Sequence, residues 1–352
     1  MKKMSRILIL LVLLSILPVS TSVADPNVEY SEGSNICTVY PTGGDDTANI
    51  QEAFDLVTAD GAGKVKLVTG EYTVSEEIVV VNFDGSFIGE GRGKTILKTS
   101  DRVDWPHRDV DPFPEVASVF LFYQTDMASR RVRVCDMTVE VHATTYDYGG
   151  FFGLNVFDIY GYVDGVVTDD KTPLDTMLKR VTIIGDAAEA FPFNNVVNTF
   201  QVGGEPHLDG TDWSFEPITG THFVVDCVFD TVGASIKYNS VYGQIYVSYN
   251  EIKNNLVGIW LFFCDPVDTP RSAIYNNEIS GSSWIGIAVW GSNNFKVHHN
   301  SVTDGDIGVD MWGSEGNRVK NNFLSDNNMD LSWDQIGDNT WKHNTYDTQS
   351  WP

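Results

Sequence analysis

The sequence predicts an all-β solenoid, a coil of short strands stacked turn on turn into one elongated domain, and three observations point to it. Five asparagines, Asn250, Asn277, Asn300, Asn322 and Asn344, follow one another at intervals of 27, 23, 22 and 22 residues. That interval is the length of one solenoid turn. Each asparagine follows a β-prone run, in the segments YVSYNEI, AIYNNEI, KVHHNSV, RVKNNFL and WKHNTY. A few residues further on, four of the five repeats offer a second short strand: GIWLFF from Gly258, GIAVWG from Gly286, GVDMWG from Gly308 and DLSW from Asp330. Each turn thus reads strand, one-residue corner, strand, variable loop, strand. One such unit cannot bury its apolar face alone, but a stack of them can. The asparagines are expected to form a structural ladder at one corner, bonded along the coil axis, because Asn tolerates the left-handed conformation of a tight corner.

The remaining elements follow in chain order. Lys2, Lys3 and Arg6 precede an apolar run from Ile7 to Leu17, and Ser22-Val23-Ala24 supplies a small-x-small cleavage pattern. Residues 1–24 are therefore expected to be an export signal, too short to stay as a membrane helix. The mature chain then carries 20 Lys and Arg against 48 Asp and Glu, a formal charge of −28, and no transmembrane span. Such an anionic, secreted or cell-surface protein does not bind nucleic acid, and it repels anionic polymers and membranes unless cations bridge them. Residues 25–37 are expected as a linker and 38–352 as one solenoid domain.

In DDTANIQEAFDLVTADG, Ile50, Ala53, Phe54 and Val57 share one helical face, with Asp46 or Thr47 available as cap. This amphipathic helix is expected to plug the N-terminal end of the coil. Strand grammar resumes in KVKLVTGEYTVSEEIVV and FDGSFIGEGRGKTIL. It continues with Asp136 at a corner of RVRVCDMTVEV, Arg180 near the corner of TMLKRVTIIG, and CVFD after Asp226 aligned with NEIK after Asn250. Insertions at roughly 99–118, 142–152, 159–176 and 198–220 are expected to be long loops forming walls or lids.

The run DDTANIQEAFD, with GAGKVKLVTGEYTVSEEIVV and FIGEGRGKTIL after it, resembles the N-terminal portion of the pectate-lyase superfamily. NNEISGSSWIGIAVWGSNNFKVHHNSV resembles the β-helix repeat of many carbohydrate-binding proteins and sugar hydrolases. Together these stretches cover nearly all of the mature chain. The resemblance implies a right-handed parallel β-helix of three sheets with an N-terminal capping helix, long loops on its N-terminal half, and a substrate groove along one sheet. It does not choose a chemistry, since the superfamily holds lyases, hydrolases, epimerases and non-enzymatic surface proteins.

The groove sheet would consist of GASIKY, GIWLFF, GIAVWG, GVDMWG and DLSWD. Alternation then sends Ile259, Leu261, Ile287, Val289, Val309, Met311, Leu331 and Trp333 inward. It sends Ser235, Lys237, Trp260, Phe262, Ala288, Trp290, Asp310, Trp312, Ser332 and Asp334 outward. Phe262, Trp290 and Trp312 would form an exposed aromatic strip, suited to packing on the C–H faces of sugars, with Trp260 and Lys237 beside it as further substrate contacts. Asp310 and Asp334, one strand apart and offset by two residues, lie roughly 8 Å from each other by strand geometry. They are the candidate catalytic pair for an inverting glycosidase.

The motifs of polygalacturonate hydrolases are absent: the chain has no Asn-Thr-Asp, Gly-His-Gly or Arg-Ile-Lys segment. No cofactor is required, although calcium is an option. Asp265 and Asp268 beside Arg271, or Asp209, Asp212 and Glu216 after His207, could serve a calcium-dependent lyase, but neither group forms a diagnostic loop. His298 and His299, adjacent on a strand, are expected to face opposite sides, against a paired metal site. Cys37, Cys135, Cys227 and Cys264 allow three full pairings. Three functions remain open: an exported β-helix that binds or processes polysaccharide or a cell-surface glycan, a structural or adhesive solenoid, and a calcium-dependent polysaccharide lyase.

Overall fold

The computed structural model describes residues 26–99, 117–142, 154–162, 171–185, 197–203, 206–209, 212–215, 217–266 and 272–351. The expected export signal lies outside them. No helix among the described residues is long and apolar enough to cross a membrane.

The chain winds into a right-handed parallel β-helix with three faces. The first face is a nine-stranded parallel sheet that runs from Ile78–Val81 to Met329–Trp333 and includes Ala234–Asn239, Val257–Phe262, Ile285–Trp290 and Ile307–Trp312. In the C-terminal half the second face stacks Gln244–Ser248, Ala273–Tyr275, Lys296–His298, Arg318–Lys320 and Thr340–Lys342. The third stacks Glu251–Lys253, Glu278–Ser280, Ser301–Thr303 and Phe323–Ser325. In the N-terminal half these two faces are carried by single bent strands, Arg130–Val141 and Thr172–Gly185, which turn at Asp136 and Arg180.

Burial follows the alternation. Ile259, Leu261, Ile287, Val289, Val309, Met311 and Leu331 all point into one continuous core. Trp333 lies against it with Trp341 and Trp351 at the C-terminal end, where Leu331 also bridges to Gln349.

The asparagine ladder is formed by the five expected residues, but the left-handed corner position lies one residue before each of them. The left-handed residues at this corner are Tyr249, Asn276, His299, Asn321 and His343, each immediately before a ladder asparagine. The asparagine itself is tucked inside the corner. Asn300 Nδ2 donates to Ile274 O and to Asn322 Oδ1, both at 3.0 Å, while its Oδ1 accepts from Asn277 N at 3.1 Å and Asn277 Nδ2 at 2.9 Å. Cys227 continues the column upstream, and its amide donates to Asn250 Oδ1 at 3.0 Å. A second ladder at another corner, Asn317 on Asn339 with Phe295 N on Asn317 Oδ1, has no counterpart in the sequence reading.

Helix α1, Thr47–Ala59, buries Ile50, Ala53, Phe54 and Val57 as expected. Phe54 sits among Phe83, Phe87 and Phe122, with ring centroids 5.1–5.7 Å away. Asp46 occupies the N-cap position without capping, because its carboxylate accepts from Thr42 N at 2.8 Å and Thr73 N at 3.1 Å.

Two expectations need correction. The supposed linker contains Val28–Ser31 and Ile36–Val39, an antiparallel pair whose second strand joins Gly63–Leu67, so folded structure begins well before residue 38. The supposed insertions at 159–176 and 198–220 include rungs of the first face, Leu154–Tyr162 and Val197–Gly203, in parallel register with each other. The intervals at 100–116 and 143–153 lie outside the described residues.

Candidate functional site

Parallel pairing in constant register turns the outward positions of the first face into columns. One column reads Leu121, Asp158, Gln201, Lys237, Trp260, Ala288, Asp310 and Ser332. Beside it runs Tyr160, Gly203, Asn239, Phe262, Trp290 and Trp312. Side chains from up to eight strands thus form one lane, aromatic towards its C-terminal end and polar towards its N-terminal end.

The aromatic half holds Trp260, Phe262, Trp290 and Trp312, four of the five residues expected as substrate contacts, and Lys237 stands next to Trp260 in the polar half. Its rings stand edge to face: Trp260–Trp290 at 5.3 Å, Trp290–Trp312 at 6.4 Å and Trp260–Phe262 at 6.1 Å between centroids. Trp284 joins them at 5.4 Å from Trp290. Sequence reading missed it, since it lies just before the strand Ile285–Trp290 and outside the alternation. Trp312 is 56% exposed, whereas Trp260, Phe262 and Trp290 are part-buried. The result is a stepped surface with one open ring.

Of the two candidate catalytic acids, Asp310 stands on this face and Asp334 directly follows its last strand, Met329–Trp333, and both are engaged. Asp310 Oδ2 accepts from Trp290 Nε1 at 2.7 Å, and the Ser332 hydroxyl also bonds its carboxylate. Burial raises the Asp310 pKa despite those bonds, and the charge of Asp334 adds to the rise. Asp334 accepts from Gly313 N at 2.6 Å and Ile336 N at 3.0 Å. It therefore shapes the turn after the strand. Tryptophan and serine hold Asp310 in the lane, a positioning bond for the Trp290 ring as much as a reactive arrangement.

The polar half was largely invisible in the sequence. Asp158 is 0% exposed, although it points away from the core, and its Oδ2 accepts from Asn155 Nδ2 at 2.8 Å, Tyr160 Oη at 2.9 Å and Ser118 Oγ at 3.1 Å. Gln201 Nε2 donates to Tyr160 Oη at 3.3 Å. Burial pushes Asp158 up to about 6, against the pull of its three donors and of Lys237. Burial likewise brings Lys237 down to about 8, and the attraction of Asp158 limits the fall. Lys237 Nζ lies 5.2 Å from the centre of the Trp260 ring, joining the two halves by a cation–π contact. Buried polar atoms without a protein partner cluster here, including Asp158 Oδ1, Asn155 Oδ1, Asn239 Oδ1 and Trp260 Nε1. Such atoms are costly unless something bonds them.

Of the other candidate groups, Asp209 and Asp212 are cross-strand partners in the antiparallel pair Pro206–Asp209 with Asp212–Phe215. Asp268, Arg271 and Glu216 lie outside the described residues, and Asp265 accepts from Asn294 Nδ2 at 3.3 Å. His298 and His299 do not diverge as expected. The strand ends at His298, His299 takes φ 57°, and the two Nδ1 atoms come within 2.8 Å. All four cysteines are free thiols.

Residues 193–350 match the family model described as NosD, periplasmic copper-binding protein. No curated protein matches the chain. Among solved structures, the Azotobacter vinelandii mannuronan C-5 epimerase AlgE6 A-module is 17% identical, over 82% of this chain and 76% of that one, with a TM-score of 0.39. The Geobacillus virus E2 protein ORF18 is 14% identical, over 87% of this chain and 60% of that one, also at 0.39. The periplasmic alginate epimerase AlgG is 12% identical, over 91% and 80%, at 0.34. The fold is a right-handed parallel β-helix.

The copper in the matched family's description can be weighed against the residues present. Among the described residues no three His, Cys, Asp or Glu side chains converge on one point. Burial pushes Cys37 and Cys135 up to about 11 and Cys227 and Cys264 up to about 12, away from the thiolate that binds metal. The His298–His299 pair offers two nitrogens, but Lys296 and Lys320 place positive charge beside it. The described residues do not fit a copper centre.

Proposed function

We propose that this chain is an extracytoplasmic glycan-binding β-helix whose ligand lies along the lane from Trp312 to Asp158. The observation that carries this reading is the single register running from the open Trp312 through Trp290 and Phe262 to the Lys237–Trp260 contact. Flat apolar rings meet sugar C–H faces at one end, while orphaned donors and acceptors meet hydroxyls at the other. The expected signal segment and the word periplasmic in the matched family's description support the location. A purely structural role does not account for a polar half with so many unpartnered buried atoms.

Trp312→Ala is the clean test, because that ring is open and its loss leaves the core intact. Binding to the glycan selected from an array, with and without calcium, is expected to weaken by about 1–3 kcal/mol while the melting temperature stays within a few degrees. The double variant Trp290→Ala/Trp312→Ala is expected to abolish detectable binding, since it also strands Asp310. Normal glycan affinity in both variants would rule out the lane.

Processing is a second reading, favoured by the Asp158–Lys237 neighbours, whose pKa values approach each other across neutrality. A carboxyl near 6 and an amine near 8 are suited to moving a proton at neutral pH. On this reading any chemistry is centred on Asp158 and Lys237, with Tyr160 as the hydrogen-bond partner of Asp158, and Asp310 helps position the ligand. Asp158→Asn is expected to abolish turnover of a bound glycan with its affinity retained, whereas Asp310→Asn is expected to weaken affinity first. The reverse pattern would return catalysis to Asp310 and Asp334.

A further inference from the structure

We propose that the second face of the coil, between Lys296 and Lys342, is a docking surface for a polyanionic glycan chain, separate from the lane on the first face. The columns there are set by register: Lys296 above Arg318, and His298 above Lys320 above Lys342. His299 and His343 stand in the adjoining left-handed corner column. The outward positions of these three strands hold no acid, in a chain with 48 Asp and Glu against 23 Lys and Arg. Elsewhere ion pairs engage Lys66, Arg92, Lys98, Arg130, Arg180 and Lys253. Among the described residues no carboxylate lies within 4.0 Å of the Lys296, Arg318, Lys320 or Lys342 side-chain nitrogens. Arg318, Lys320 and Lys342 are exposed. The positive field is felt locally, since Lys320 and Lys296 help lower the pKa of His298.

Charge complementarity calls for an anion, and the size of the patch selects its shape. Rungs about 4.8 Å apart make a cationic strip on the order of 10 Å long. At physiological salt the Debye length is about 8 Å, so a narrow chain held on the strip is largely screened from the acids around it. A bilayer or a globular acidic partner is broad enough to meet those acids, among them Glu278 on the third face and Glu315 and Asp338 in the connecting loops. An aromatic ring adjoins the cations on the same face: Tyr275, on the neighbouring rung, stacks on His298 at 5.3 Å and 15°. A ring beside fixed cations matches a sugar chain that carries anionic groups.

The test uses the full chain and two probes at physiological salt, a heparin oligosaccharide for sulfate and an oligogalacturonate for carboxylate, followed by calorimetry. At least one is expected to bind and to be released by added salt. Lys320→Glu/Lys342→Glu is expected to weaken that binding at least about tenfold, and Lys320→Gln/Lys342→Gln by less, with unchanged circular dichroism. Trp312→Ala is expected to leave it intact, which separates this surface from the lane. The proposal is overturned if neither probe binds, if the charge-reversed variant binds normally, if Trp312→Ala abolishes binding, or if anionic phospholipid vesicles bind where both glycans fail.

Discussion

Asn300→Ala is expected to lower the stability of the coil by about 3–5 kcal/mol, more than a typical buried hydrogen-bonding residue contributes. The side chain is 1% exposed and joins three successive rungs. Its removal strands Asn277 N, Asn277 Nδ2, Ile274 O and one bond of Asn322 Oδ1 in a corner closed to water. Each buried group left without a partner costs about 1–3 kcal/mol, and partial relaxation keeps the total below the sum. Asn344→Ala provides the internal comparison. That residue is part-buried and ends the column, so its loss is expected to cost about half as much. Urea denaturation followed by circular dichroism measures both, and equal small shifts would show that the ladder does not hold the rungs.

Acid is expected to weaken the protein through His222. This imidazole is 0% exposed, with Nδ1 3.0 Å from Thr176 Oγ1 and Nε2 without a partner. Burial drives its pKa down to about 3. The unfolded chain, with a histidine near 6.5, therefore takes up the proton first. Stability from the neutral, buried ring is complete above about pH 6.5 and declines as pH falls towards 3, by up to about 4 kcal/mol. Asp158 works in the opposite sense. Its folded-state pKa near 6 exceeds the unfolded value, so between about pH 6 and 4 its protonation favours the folded chain. The larger displacement of His222 prevails. His222→Gln, which cannot become charged, is expected to flatten the fall in urea midpoint between pH 7 and pH 4, and an unchanged slope would exclude His222 as its source.

The C-terminal half of the coil was legible because one physical rule recurs there on every rung. Apolar residues at Ile259, Ile287, Val309 and Leu331 alternate with outward ones, and an asparagine marks each corner, so register and face could be read together. The one-residue error at the corner arose because the left-handed site and the ladder site are adjacent, and Asn276 or Asn321 suits the first as well as Asn277 or Asn322 suits the second. The polar half of the lane was illegible for a different reason. The segment LNVFDIYGY has no ladder asparagine to set its phase, and the stretches around it gave no constant interval. Asp158 and Tyr160 could not be placed on a face without the pairing of Leu154–Tyr162 to Val197–Gly203. His299 shows the limit of alternation, which fails at the first residue with positive φ.

The equal spacing of Asn300, Asn322 and Asn344 gives the molecule a natural unit of growth. A tandem duplication of any 22-residue segment in this region would present the same hydrogen-bonding edges above and below. The coil could therefore be lengthened in whole increments without a new packing problem. Each increment, about 4.8 Å, would extend the aromatic lane and the cationic face together, so the two surfaces would keep pace with one another. The bent strands of the N-terminal half, where Asp136 and Arg180 stand 44 residues apart, offer no such increment. Variation in length is thus channelled to one end, and the Asp158–Lys237 neighbourhood is left as the fixed point from which both surfaces are measured.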